Sequence, residues 1–180
     1  MNRIPIHVLV AAALLAWAPA APAQEKAPVI GIGVDLVNAA SVAYGHEAPL
    51  SIYVPINLTG FRIEPSIGIF TESIEGGGSA SRVELGVGGF VPLKSAHQLT
   101  VMAGGRLQLA FNSSKPPGGT SDSANDIYLA GALAGEWAAA THFSLGAEAQ
   151  LGYYNNGSLG AAPSLSGFRT AGLVFARFYL

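Results

Sequence analysis

"LTVMAGGRLQLAFN" (residues 99–112) places Leu99, Val101, Leu107, Leu109 and Phe111 at odd positions, and Thr100, Arg106, Gln108 and Asn112 at even ones. Residues i, i+2 and i+4 of an extended chain line one face, so this stretch is apolar on one side and polar on the other. A helical period of 3.6 would mix the two sets on every face. The reading is a β-strand between two unlike environments, with a guanidinium on the polar side.

The same alternation recurs after position 28. "VIGIGVDLVN" sets Ile30, Ile32, Val34 and Leu36 against Gly31, Gly33 and Asp35, and "LSIYVPINL" sets Ile52, Val54, Ile56 and Leu58 against Ser51, Tyr53 and Asn57. "FRIEPSIGIF" opposes Phe61, Ile63, Ile67 and Ile69 to Arg62, Glu64 and Ser66, while "RVELGVGGFV" opposes Val83, Leu85, Val87 and Val91 to Arg82, Glu84, Gly86 and Gly88. "DIYLAGALAGEW", "FSLGAEAQLGYY" and "GLVFARFYL" follow the rule, with Tyr128 and Glu136, then Ser144, Glu148 and Gln150, then Phe175, Arg177 and Tyr179 on the polar side. Eight strands are expected.

The connections alternate as well. Short turns are expected after the second, fourth and sixth strands: Thr59-Gly60, "KSAHQ" at 94–98 and "AAT" at 139–141. Longer polar or glycine-rich loops follow the first, third, fifth and seventh: "AASVAYGHEAP", "ESIEGGGSAS", "NSSKPPGGTSDSAN" and "NNGSLGAAPSLSG". Short turns at one end and long loops at the other are the pattern of outer-membrane barrels, with periplasmic turns and extracellular loops.

Composition narrows the environment. Of 180 residues, 50% are hydrophobic and only 11% charged, well below the roughly 25% charged residues of soluble domains. The net charge of -2 offers no electrostatic handle for nucleic acid, and the lack of cysteine removes disulfides and thiolate metal sites. Arg3, the apolar "VLVAAALLAWA" and the small-residue "APA" at 21–23 have the order of a secretory signal. Residues 1–23 are expected to be a cleaved signal peptide and 24–180 a single outer-membrane β-barrel domain. A spanning helix is the alternative, but the uninterrupted apolar run is shorter than the ~20 residues it would need.

Alternation alone allows a soluble, lipocalin-like barrel with an apolar core. Three features favour lipid outside. Lysines of the mature chain, Lys26, Lys94 and Lys115, fall outside the strands as drawn, whereas a water-facing strand surface should be rich in Lys. The polar face mixes Gly, Ala and Ser with pairable Arg and Glu, which suits the confined interior of a small closed barrel. Phe61, Trp137, Phe143 and Phe178 cluster near the short turns as an interfacial girdle would. Interior charges then need partners, since an isolated buried ion is expensive. Asp35, Arg62, Glu64, Glu84, Arg106, Glu148 and Arg177 are expected to form a structural salt-bridge network across the lumen, helped by Gln108 and Gln150. Pairing about a turn near Ser95 would set Glu84 opposite Arg106.

On "LSIYVPINLTGFRIEPSIGIF", "GEWAAATHFSLGAEAQLGYY" and the terminal "TAGLVFARFYL", the chain resembles the small eight-stranded outer-membrane barrels, the group of OmpA-like transmembrane domains, OmpX-like and opacity-type proteins. The resemblance covers nearly all of 29–180. It implies an all-β, antiparallel up-and-down transmembrane barrel surrounded by outer-membrane lipid. It also implies a final strand, with Phe178 as its near-terminal aromatic, read by the barrel assembly machinery, and loops that contact extracellular partners.

The histidines and serines are the residues that could carry chemistry. His142-Phe143-Ser144 superficially resembles the His-x-Ser of lipid A deacylases, but Leu145 stands where that family has Asn, and the turn position of His142 against an inward Ser144 does not suggest a triad. His46 and His97 belong to opposite ends, and Asp122 with Asp126 lacks a calcium-loop framework. "GIGVDL" lacks the third glycine and the helix of a dinucleotide site. No catalytic residue, metal or cofactor is expected. The expectation is a non-enzymatic surface barrel, with a narrow channel and a lipid A-modifying enzyme as alternatives.

Overall fold

A computed structural model describes residues 30–38, 51–160 and 163–180. Among these the strand segments are β1 (Gly31–Asn38), β2 (Ser51–Tyr53), β3 (Ile56–Leu58), β4 (Phe61–Ile74), β5 (Gly78–Ala96), β6 (Leu99–Lys115), β7 (Asp122–Ala140), β8 (Phe143–Asn156) and β9 (Leu165–Tyr179). Each segment from β4 to β9 pairs antiparallel with the next, β9 pairs with β1, and β2 joins β1 on one side and β4 on the other. The wall closes on itself. β2 and β3 are two halves of one wall strand, so the barrel is eight-stranded.

The expected second strand is interrupted at Val54-Pro55, and proline is the reason. Pro55 and Pro65 have no N–H to give to the ladder. Their carbonyls still take part: Gly31 donates to Pro55 at 3.0 Å and Val54 donates to Pro65 at 2.9 Å. The break therefore leaves the wall joined across both seams.

The sort by parity separates outside from inside. Leu107 and Val87 are 37% and 44% exposed on the outer face, along with Ile69, Leu85, Leu129 and Leu151. Arg106, Glu84, Gln150 and Arg177 are buried inside. Near the short turns the outer face carries Phe61, Trp137, Phe143 and Phe178, with the rings of Phe143 and Phe178 4.9 Å apart. Phe111, Tyr153 and Phe168 ring the opposite border, with Tyr153 and Phe168 5.6 Å apart. The second aromatic row was not anticipated from sequence.

Two expectations about connections are corrected. Seven of the ten residues of "ESIEGGGSAS" are strand: β4 runs to Ile74 and β5 starts at Gly78, joined by a turn in which Gly76 and Gly77 both have φ of 89°. Polar arms at the starts and ends of β5, β6 and β7 likewise replace much of the expected loops. These arms are polar on both faces, so no apolar alternation betrays them, and the inter-strand ladder alone defines them. The second correction concerns the β5–β6 turn. Strand pairing continues to Ala96↔Leu99, so the turn is His97-Gln98, with His97 in the left-handed region at φ 54°, and a bulge sits between Pro92 and Lys94. Glu84 consequently faces Ala110, and Arg106 faces Gly88. The expected Glu84–Arg106 pairing does not form. The expected signal peptide, the first long loop and His46 lie outside the described residues.

Candidate functional site: the luminal charge network

β4 supplies two inward charges, Arg62 and Glu64, at consecutive inward positions of one strand. Glu64 is fully buried, as is Arg177 from β9. Carboxylate and guanidinium in such a space are stable only if nearly every lone pair and N–H is matched. Arg177 Nη2 donates to Glu64 Oε1 at 2.5 Å, and its Nη1 donates to Glu136 Oε2 at 2.6 Å. The second oxygen of Glu64 accepts from Arg106 Nη2 at 2.8 Å. Arg106 in turn grips Glu148 through Nε and Nη2, at 2.6 and 2.7 Å.

The chain of bonds extends to both sides. Glu136 also accepts from Arg62, from Ser144 Oγ at 2.5 Å and from the Tyr179 hydroxyl at 2.5 Å. Arg62 Nε donates to Asn57 at 2.6 Å, and Gln150 donates to Glu148 at 2.8 Å. Three guanidiniums and three carboxylates thus alternate from Arg62 to Glu148, drawn from β4, β6, β7, β8 and β9. Their charges cancel, which is what makes burial of so many ions tolerable.

Aromatic rings pack around the cations. Arg177 lies 3.9 Å from the Phe175 ring centroid and 5.3 Å from that of Tyr53, while Arg106 lies 5.0 Å from Phe90. Ring faces carry partial negative charge, so they satisfy the guanidinium planes where no oxygen reaches. Space for two of the rings comes from glycine. A Cβ on Gly146 would overlap the Phe175 ring, and one on Gly33 would overlap Tyr53.

A second, smaller cluster sits toward the long-loop end. Arg82 donates to Asp126 at 2.9 Å, to Asn112 at 3.1 Å and to Glu84 at 3.2 Å. Asp126 and Asp122 also accept from the backbone N–H groups of Gly157 and Gly160, at 3.1 and 2.5 Å, which pins the β8–β9 connection to β7. Arg169 stacks on Tyr128, 4.4 Å from its centroid.

Of the residues singled out in sequence, Arg62, Glu64, Arg106, Glu148 and Arg177 meet in one network. Glu84 belongs to the upper cluster with Arg82. Asp35 is buried but makes no ion pair among the described residues. Glu136, the carboxylate with the most partners, is marked by the sequence only as an inward polar position. Its cationic partners Arg62 and Arg177 lie on strands that are not its sequence neighbours, and parity gives no cross-barrel distance. Parity also placed Tyr53, Phe90 and Phe175 inside without saying that they would cover cations.

His142 and Ser144 do not act together. The His142 ring nitrogen Nδ1 is 3.1 Å from the Tyr179 carbonyl, whereas the Ser144 hydroxyl is committed to Glu136. Among the described residues, no group of three His, Asp or Glu side chains could hold a metal ion.

No protein-family model matches the chain, and no curated protein sequence matches it. Among solved structures, Neisserial surface protein A (NspA) is similar with a TM-score of 0.58 at 14% identity, over 87% of this chain and all of that one. Ail, the attachment invasion locus protein of Yersinia pestis, is similar with a TM-score of 0.37 at 14% identity, over 83% of this chain and 93% of that one. The closed wall of eight antiparallel strands, its apolar outer belt and its charged lumen make this the fold of the small eight-stranded outer-membrane β-barrels.

Proposed function

We propose that the chain is a non-enzymatic outer-membrane barrel with a structural and surface role, whose long-loop end is the part available for adhesion or ligand contact. The observation that carries this reading is the continuous network from Arg62 through Glu136, Arg177, Glu64 and Arg106 to Glu148. An eight-stranded interior is just wide enough to be filled by side chains, and here the filling groups are bonded to one another across the lumen. A solute passing through would have to part several charge-assisted bonds at once. The surface role is supported by the polar strand arms beyond the belt and by the fold shared with NspA, a surface protein by name.

Conductance decides between this reading and a channel. The purified full chain reconstituted in planar bilayers at neutral pH is expected to give no large, stable openings. Long-lived open levels in every active bilayer would refute a closed lumen. The same preparation, incubated with vesicles containing lipid A, should return the lipid with its acyl chains unaltered; a change in acyl-chain mass would refute the non-enzymatic part.

A further inference from the structure

The buried carboxylates of the lumen are not all provided for. Asp35, Glu64, Glu84, Glu136 and Glu148 are each at most 9% exposed. Four of them sit against a guanidinium, whereas Asp35 makes no ion pair and no side-chain hydrogen bond among the described residues. Its side chain faces inward all the same. Asp35 pairs across the ladder with the fully buried Phe175, beside the bulge where β1 shifts register against β9.

No cation is spare to meet it. Arg62, Arg82, Arg106 and Arg177 each already contact two carboxylates. The charges that face Asp35 are Arg106 from β6 and Arg177 from β9, with Glu148 from β8 and Glu84 from β5 opposing them. On the β2 side stands Tyr53, whose hydroxyl is 3.5 Å from the Val34 carbonyl, and Glu64 of β4 lies close enough to act on that hydroxyl. Turning Arg106 toward Asp35 would strip Glu64 or Glu148, and turning Arg177 would strip Glu64 or Glu136. Either move exchanges one unpaired carboxylate for another.

A buried carboxylate without a cation, and with like charges near it, is too costly to keep ionised, so such a group neutralises instead. A metal ion could also cancel the charge, but among the described residues no group of three His, Asp or Glu side chains could hold one. A proton needs only the one carboxyl. We propose that Asp35 is a proton-binding site of the lumen, present as the neutral acid in the folded barrel at pH 7. The carboxylate takes its proton from solvent as the wall closes and returns it on unfolding. This goes beyond the surface role argued above, and its test reads protonation rather than conductance, so either reading can fail alone.

The chain contains three aspartates, Asp35, Asp122 and Asp126. Asp122 is exposed and Asp126 is held by Arg82, so both are ionised at pH 7. The full chain, refolded in detergent with carbon-13 in its aspartate carboxyls alone, is expected to show one protonated and two ionised carboxyl signals at that pH. Asp35→Asn should remove the protonated signal and leave the other two. Stability gives a second readout. An unfolded aspartate ionises near its ordinary value of about 3.9, so between pH 4 and pH 7 the unfolded chain releases a proton that the folded one keeps. The native barrel therefore loses stability relative to Asp35→Asn as the pH rises through that window. The urea midpoints of the two should nearly coincide at pH 4, with the variant increasingly higher toward pH 7. If Asp35→Asn does not fold, Asp122→Asn and Asp126→Asn are labelled instead, and each should keep the protonated signal. Three ionised signals at pH 7 would overturn the proposal. So would a difference in midpoint that does not change with pH, or a native midpoint that rises with added sodium while that of the variant does not, which would assign the site to a metal cation.

Discussion

Arg177 and Glu64 stand 113 residues apart in sequence and 2.5 Å apart in space, both fully buried. They join β9 to β4 across the lumen, and each holds a further partner, Glu136 and Arg106. Arg177→Met would leave Glu64 and Glu136 each short of a cation. Breaking a buried pair from one side costs about 3–5 kcal/mol. The urea midpoint of the barrel in detergent should fall accordingly. The double variant with Glu64→Gln should be less destabilised than the two single losses summed, because residues sharing one network are coupled by roughly 0.5–3 kcal/mol. Simple additivity would show that the pair is not a working contact.

Gly146 lies where the Phe175 ring needs room, and the Cβ of any larger residue would overlap that ring. Gly146→Val is expected to destabilise the barrel by about 1–3 kcal/mol, the usual cost of overpacking. Phe175→Ala should relieve the overlap, so the double variant should recover part of the loss suffered by Gly146→Val. A Gly146→Val barrel that melts as the native one does would show that the ring can move aside without cost.

How far the sequence could be read depended on what each signal encodes. Parity encodes face, so the outward position of Leu107 and the inward one of Arg106 were legible from "GGRLQLA" alone. Register is encoded by turn geometry: centring the turn near Ser95 sets Glu84 opposite Arg106, whereas His97-Gln98 makes the turn and a bulge sits between Pro92 and Lys94, which moves Glu84 onto Ala110. Cross-barrel contacts are encoded nowhere locally. Glu136 could be seen to face inward, but its meeting with Arg62 and Arg177 follows only from closing the wall. The polar strand arms, such as Ser79 to Arg82, lack a contrast of faces and looked like loop.

Arg106 spans the gap between Glu64 and Glu148, bonding to both. Arg106→Ala would remove one of the bridging side chains and leave two carboxylates facing a void. Water entering to solvate those carboxylates would make a cation-selective leak. Bilayers containing the variant should show small cation-selective steps that the native chain does not give. A variant as silent as the native chain would mean that the remaining side chains collapse to refill the lumen.

Leu107 and Ser113 lie on the same face of β6, separated by six residues. If hydrocarbon ends between Phe111 and Ser113, the same new charge should have very different costs at the two places. Leu107→Arg, midway along the apolar part of the strand, should cost about 2–4 kcal/mol, and Ser113→Arg only about 0–1 kcal/mol, following the depth dependence measured for lipid-facing positions of barrels. Both follow from reversible urea unfolding in phospholipid vesicles. The difference should shrink in short-chain detergent, which wraps the belt less strictly. Equal costs at both positions in vesicles would place the border elsewhere on the strand.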